Sequence, residues 1–378
     1  MMEFDKDGFK FDLETQRFIK NRWETDEGKA VLEEIVEGIK SSSEIRGILD
    51  RYVLDHADNY DPYGHPIYPR SEMKEGAFWV ISQDDLRGIE IYNECFEGSR
   101  SLEKKALTYA RFFGCDFNRA NLERSEFSYA RFDKCNLTHA IFAISGGFNA
   151  SFLDCNLRKA CFFDCFMGYC DLSGTDLRDA YFENARLHGL KVNHRTNFGE
   201  RITSEWKKRK IPDTQKPDIY RSIRLAYEDA EIWDTMDVFL AAEHTSRRKG
   251  LLWPAFEKSK SLKTFNTWFG SWCRGAYSNY ATSPLRAVFV TALIPIIFAL
   301  IYLAAGLPDA AASSTSNVAE SVGQSLYFSV TTFTTLGYGD VTYSADRPVL
   351  RFLSTLEAFT GAVTIALLVV VFARKVIR

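Results

Sequence analysis

Apolar positions along this chain follow three different periods, and each predicts a different kind of element. From residue 107 to residue 192 a large apolar side chain recurs at every fifth position. Of the 18 positions in that series, 17 are Leu, Phe, Met or Val, and Gly147 alone breaks the run. Two residues before each of them, 16 of 18 positions hold Ala, Cys, Ser or Thr. A period of five fits neither an α-helix nor an alternating strand, so this stretch predicts a solenoid of repeats. Nearer the C-terminus the apolar residues become continuous. Residues 287–306 carry no charge, long enough to cross ~30 Å of hydrocarbon. Residues 358–373 are also uncharged and reach spanning length when residues 352–356 extend them past Glu357. Elsewhere the spacing is helical. Val31, Leu32, Ile35, Val36 and Ile39 predict one or two amphipathic helices within 28–52. Ile219, Ile223, Tyr227, Ala230, Trp233 and Leu240 share one face of a single helix capped by Asp218 and ending at Arg247-Arg248-Lys249-Gly250.

Charge divides the chain the same way. Its 378 residues hold 47 Lys+Arg and 50 Asp+Glu, a net −3 that argues against a basic nucleic-acid-wrapping surface. Residues 284–378 hold 6 and 5 of these, so the membrane-like quarter is +1 and the remainder −4. The first residues, MMEFDKDGFKFDLETQ, do not read as a secretory signal. The expectation is therefore a multi-pass protein of the plasma membrane (the inner membrane in a bacterium), with both termini cytoplasmic. Arg274, Arg286, Arg374, Lys375 and Arg378 favour that orientation; Arg347 and Arg351 weaken the bias.

Between the spans lies a small, polar loop and then SVGQSLYFSVTTFTTLGYGD. Val322, Leu326, Tyr327, Val330 and Phe333 recur at helical spacing, and the helix runs into Thr334-Thr335-Leu336-Gly337-Tyr338-Gly339-Asp340. Irregular backbone at membrane depth is tolerated only inside protein or along a watery cavity. Gly337 and Gly339 permit backbone angles that turn successive carbonyls to one side. The carbonyls of Thr335, Leu336, Gly337 and Tyr338, with the Thr335 hydroxyl, would form oxygen rings able to replace an ion's hydration shell. One chain supplies one edge of each ring, so the reading needs a homotetramer. The preceding helix would aim its negative C-terminal end at the cation.

The run TFTTLGYGD (332–340), flanked by two spans, resembles the signature of the two-transmembrane-helix potassium channels. The resemblance implies an outer helix at 284–306, a pore helix at 320–333, a filter at 335–340 and an inner helix at 349–374. It implies selective K⁺ conduction, with K⁺ held at Thr335–Tyr338 and no other cofactor. Leu336 departs from the more usual Val. By the same resemblance Gly361 sits where a gating hinge is often found; a small residue for close helix packing is the other reading. Glu357 is an ionisable residue within a span and is expected to support the pore helix or filter. A membrane-anchored, non-conducting binding scaffold is the alternative function. No nucleophile, base and orienting group occur together, so no enzymatic activity is expected.

The five-residue period closely resembles the pentapeptide-repeat family, which implies a right-handed quadrilateral β-helix with 20 residues per coil. Phe112, Phe132 and Phe152 would then form one vertical ladder, and Phe142, Phe162 and Phe182 another, at ~4.8 Å intervals. Five of the eight cysteines (Cys115, Cys135, Cys155, Cys165, Cys170) occupy the small inward position and read as reduced packing residues. The expected organisation is a partly helical N-terminal region (1–104), the β-helix (105–200), a helical linker with an interfacial helix (201–283) and the pore module (284–378). Trp253, Phe256, Phe265, Trp268, Phe269, Trp272, Tyr277 and Tyr280, mixed with Lys258, Lys260, Lys263 and Arg274, suit either the membrane interface or packing on a cytoplasmic domain. Asp55, His56, Asp58, Asp61 and His65 read as a solvated loop rather than a metal site. With no voltage-sensor pattern and no nucleotide-binding fold after the pore, control is expected from a ligand or protein regulator acting on residues 1–283, through the 219–280 helices.

Overall fold

The computed structural model describes residues 4–5, 8–9, 17, 19–41, 43, 45–53, 80, 82–306 and 317–377. The 55–65 acidic and histidine cluster falls outside them. The chain divides into two compact units, Met1–Leu251 and Leu252–Arg378.

In the first unit the five-residue period becomes a coil because the backbone turns sharply after each large residue. The residue two places after every centre but the last adopts a left-handed conformation, with φ of +61° at Tyr109, +59° at Arg119 and Tyr129, and +52° at Asp154. Such corners cost about 1–2 kcal/mol each for residues with a Cβ. Burial offsets them: Phe112, Phe117, Phe127, Phe132, Phe142, Phe152, Phe162 and Phe182 are all essentially inaccessible, worth roughly 1.5–3 kcal/mol apiece. Strands β1 (Glu90–Tyr92), β2 (Arg111–Phe113), β3 (Arg131–Asp133) and β4 (Ser151–Leu153) pair in parallel, Arg111 with Arg131 and Arg131 with Ser151. Both expected ladders form. Ring centroids are 5.0 Å apart for Phe112–Phe132, 4.9 Å for Phe132–Phe152, 5.1 Å for Phe142–Phe162 and 5.4 Å for Phe162–Phe182.

The interruption at Gly147 has a packing cause. A Cβ there would lie 2.0 Å from the Phe127 ring, which fills the space a fifth-position side chain would take. The small inward residues also do more than fill space. The Sγ of Cys135 and Cys155 donate to the carbonyls of Phe112 (3.4 Å) and Phe132 (3.2 Å), and Ser125 and Ser145 donate to those of Leu102 (2.6 Å) and Leu122 (2.8 Å). Each bond reaches back 23 residues and ties one coil to the one before. All eight cysteines are free thiols.

Three expectations are corrected. The coil starts earlier than residue 105: Asp85 bridges Ala106 and Cys95 bridges Asp116, both 21 residues on. Leu86, Ile91, Phe96 and Leu102 are its large apolar centres, all buried, and the six-residue step from Phe96 to Leu102 hides it from a strict period of five. The single helix expected from Pro217 to Arg247 is two, α3 (Lys216–Asp229) and α4 (Trp233–Arg247), broken where Glu231 takes φ +58°. Its cap is also displaced: Gln215 occupies the N-cap and Asp218 lies in the first turn. The 201–283 segment is not wholly helical either, because β5 (Glu205–Trp206) and β6 (Arg209–Lys210) form a hairpin. Arg209 lies 4.1 Å over the Phe163 ring and Trp206 packs on Tyr181.

Helices α1 (Asp26–Lys40) and α2 (Arg46–Asp50) complete this unit. Thr25 caps α1 by accepting from the Gly28 amide, and Val31, Ile35, Val36 and Ile39 are buried as their spacing requires. Near α1, Asp85 is fully buried between Arg22 (2.9 Å) and Arg87 (2.8 Å). Burial alone would raise its carboxyl, but the two guanidinium groups hold it well below the usual carboxylate range.

The second unit is helical: α5 (Trp253–Ser259), α6 (Leu262–Ser278), α7 (Pro284–Ala305), α8 (Val318–Phe333) and α9 (Pro348–Val376). Helices α5 and α6 carry a continuous aromatic cluster, with Trp253–Trp268 at 5.1 Å and Phe265–Phe269 at 5.6 Å. The division at 251/252 places both with the C-terminal helices rather than with a linker. Helices α7 and α9 are long and apolar enough to cross a membrane, with mean hydropathies of 2.6 and 2.2 over their most apolar stretches.

Candidate ion-conduction site

Helix α8 is shorter and more polar than the two helices beside it, and its end sets the geometry of the segment that follows. Thr331 stays inside the hydrogen-bonding of the turn: its carbonyl accepts from the amides of Leu336 (3.0 Å) and Gly337 (3.2 Å). Beyond it, φ is positive at every second residue: +59° at Thr335, +48° at Gly337 and +78° at Gly339. Leu336 and Tyr338 do not share that sign. Alternation of this kind allows successive peptide groups to face one side of the strand. The glycines were legible as positions of backbone freedom. Thr335 was not, since a β-branched residue at positive φ is an outlier, of the kind that collects at functional sites. Its hydroxyl donates to the Thr334 carbonyl at 2.7 Å. The Leu336 and Tyr338 side chains stand 61% and 68% exposed in the single chain. At the far end of the segment Asp340 accepts a hydrogen bond from the Tyr327 hydroxyl of α8 at 2.8 Å.

Three helices are joined behind this segment by one carboxyl group. Glu357 of α9 is wholly buried. Its carboxyl accepts from the Tyr302 hydroxyl of α7 at 2.7 Å and from the Ser329 hydroxyl of α8. Ser329 is also 2.7 Å from the carbonyl of Pro295, the proline inside α7. Tyr302, Phe328 and Tyr343 pack together beside the carboxyl, and Tyr343 donates to the Gly306 carbonyl at 2.9 Å. Buried intramembrane carboxyls are retained where they are partnered, and Glu357 has a partner on each neighbouring helix.

Gly361 lies one turn further along α9 and is buried. A Cβ there would come within 1.9 Å of the Phe333 carbonyl oxygen, 2.7 Å of its carbon and 3.0 Å of its Cα. Phe333 is the last residue of α8. Of the two sequence readings of Gly361, the structure supplies a direct reason for close packing: α9 touches the backbone end of α8, and a side chain has no room. The half of α9 beyond Gly361 is tied to α6 and to the residues just after it. The Tyr277 hydroxyl donates to the Thr364 carbonyl at 3.0 Å, and Arg374 donates to the Tyr280 carbonyl at 3.0 Å. Neither contact had a sequence signal, because both end on backbone carbonyls.

Comparison with known proteins follows the same division. Residues 287–378 match the family described as ion channel. Residues 107–142 and 161–193 match pentapeptide repeats, in eight copies. No curated protein matches the chain. Among solved structures the chain is similar to a pentapeptide repeat protein (Rfr23) from the cyanobacterium Cyanothece 51142, at 18% identity over 30% of this chain and 88% of that one, with a TM-score of 0.26. It is also similar to HetL, a pentapeptide repeat protein involved in heterocyst differentiation regulation from Nostoc sp. strain PCC 7120, at 20% identity over 32% and 66%, TM-score 0.24. A pentapeptide repeat protein from the Arabidopsis thaliana thylakoid lumen matches at 30% identity over 19% and 53%, TM-score 0.17. The chain thus joins a pentapeptide-repeat coil to a C-terminal segment of the two-helix ion-channel kind.

Proposed function

We propose that four copies of this chain form a potassium-selective channel, with K⁺ passing along the backbone carbonyls of Thr335, Leu336, Gly337 and Tyr338. The observation that carries this reading is the positive φ recurring at 335, 337 and 339, in a segment that follows a short helix between two spanning ones. Carbonyls turned to one side by that alternation can substitute for water around a cation. A single strand of them surrounds nothing, so the tetramer is part of the proposal. Glu357, with Tyr302 and Ser329, holds α8 against both spans and thereby fixes where the segment begins. Gly361 lets α9 pack against the backbone end of α8. The lipid-facing sides of α7 and α9 seat the assembly in the plasma membrane.

Control is proposed to reach the pore through α6. Its Tyr277 and the adjoining Tyr280 bond α9 on the side of Gly361 away from residue 348, so movement of α6 alters the support of the inner helix. Purified protein in liposomes tests the core of the proposal. K⁺ gradients should drive flux that Gly337→Ala abolishes, and the detergent-purified particle should have the protein mass of four 43.2 kDa chains. A monomeric particle with no flux would leave the chain a membrane-anchored scaffold. Removal of residues 1–200 should change open probability while leaving selectivity intact.

A further inference from the structure

A pocket in the first unit has more positive charge than its own side chains neutralise. A cavity of about 270 Å³ lies where the chain before α2 meets the first coils, lined by Ser43, Arg46, Arg100, Ser101, Lys104 and Lys105, with Ile45 and Glu103. It is space for roughly nine waters at ~30 Å³ each. Lys105 is the unusual member. Its side chain is 5% exposed, and its ammonium makes one bond among the described residues, to Asp84. Asp84 also receives Arg46 in a two-pronged contact, at 3.0 and 2.9 Å. Burial alone would raise the Asp84 carboxyl; Arg46 and Lys105 together hold it below its ordinary value. Lys104 reaches Glu103 at 3.4 Å. Arg100 is exposed and has no side-chain partner among the described residues.

A buried ammonium requires compensation by opposite charge or hydrogen bonds. Two of the three Lys105 protons lack acceptors among the described residues, and Arg100, which lines the same space, has no side-chain partner among them. The hydroxyls bring no negative charge to the space. Ser101 donates to the Ser43 carbonyl, and Ser43 to the Gly38 carbonyl. Apolar ligands are disfavoured by this lining, and a single water chain would leave the charge excess in place.

We propose that this pocket binds a small phosphate-bearing anion, held by Lys105, Arg100 and Lys104. Guanidinium and ammonium donors around one cavity match the tetrahedral oxygens of a phosphoryl group. The volume admits a diphosphate or the phosphate end of a nucleotide. A ligand so placed would join the segment ahead of α2 to the coil at residues 100–105. It would stabilise the first unit by mass action whether or not the second unit conducts.

Titration calorimetry on the full-length protein in detergent, in KCl at about 0.15 M ionic strength, tests this with inorganic pyrophosphate and, separately, ADP. One saturable site per chain is expected for pyrophosphate. Arg100→Gln and Lys104→Gln should each weaken it by about tenfold while leaving far-UV dichroism unchanged, since both side chains are exposed. Binding of ADP with the same sensitivity to Arg100→Gln supports a nucleotide as the occupant; pyrophosphate binding alone supports an inorganic anion. Absence of saturable binding of either probe would overturn the proposal. So would binding unchanged in the Arg100→Gln/Lys104→Gln double variant, or binding that a doubling of the KCl removes entirely.

Discussion

Replacing Gly361 with Ala separates two roles for one residue, and the structure sets the size of the effect. An added methyl would sit 1.9 Å from the Phe333 oxygen, against an ordinary C···O contact of ~3.3 Å. The helices must therefore part by more than ~1 Å, and both offending groups are backbone, so no rotamer change relieves the clash. Overpacking of this kind costs about 1–3 kcal/mol, at the upper end here. Alanine's better helix propensity returns at most ~1 kcal/mol. The net expectation is a loss of about 2 kcal/mol, together with displacement of Thr334 and Thr335, which follow Phe333 directly. Gly323→Ala in α8 is the control. Its Cβ meets nothing within 4 Å, so propensity acts alone and the variant should be neutral or up to ~1 kcal/mol more stable. Thermal unfolding in detergent and K⁺ flux in liposomes read the two variants side by side. If Gly361→Ala unfolds with the parent and conducts with the parent's selectivity, the packing argument is wrong. If stability is unchanged and only open probability shifts, the glycine serves as a hinge.

Glu357→Ala strands the Tyr302 hydroxyl in a buried site, at about 1–3 kcal/mol, while Ser329 keeps the Pro295 carbonyl as its acceptor. Heat-induced loss of the assembled particle should come markedly earlier, and Glu357→Gln, which keeps one acceptor, should fall between. Asp85→Asn leaves Arg22 and Arg87 buried without their carboxylate and should cost roughly 3–5 kcal/mol at pH ~7, measured by denaturant unfolding of the full chain. The folded Asp85 value is depressed, so its contribution is complete above the unfolded value near ~4 and is lost only as pH falls through the folded one. Stability between about pH 5 and 8 should therefore not depend on the titration of this group, and the variant should have a shallower acid limb. Maleimide labelling of the folded protein should modify Cys95 and Cys273 and spare the six buried thiols. Burial pushes Cys170 up to about 12 and Cys161 to about 11, far from the reactive thiolate. Rapid labelling of Cys135 or Cys155 without denaturant would contradict the coil.

The two strongest features were legible because each repeats or concentrates a chemical type. The fifth-position series places Phe112, Phe132 and Phe152 in one ladder by spacing alone, and the uncharged runs locate α7 and α9 to within a few residues. What was lost is what a period hides. The coil at 85–104 escaped because one extra residue before Leu102 shifts the register, while burial follows the backbone turn rather than the count. Glu231 broke a helix whose apolar face continued across the break, since a face records which side is buried and not whether the axis is continuous. At the candidate site, Gly337, Gly339 and Glu357 announced themselves by type. Thr335's positive φ, Ser329's bond to Glu357 and Tyr277's to the Thr364 carbonyl are tertiary facts. Residues that act through a backbone carbonyl leave no mark on the sequence of their partner.

The central claim is that carbonyls of 335–338 select K⁺, and a bi-ionic flux measurement on liposomes holding the purified full-length protein tests it most directly. With K⁺ on one side and Na⁺ on the other, the account predicts a potential close to that set by K⁺ alone, lost when Gly337 is replaced. Equal permeability to the two ions in the intact protein would contradict it.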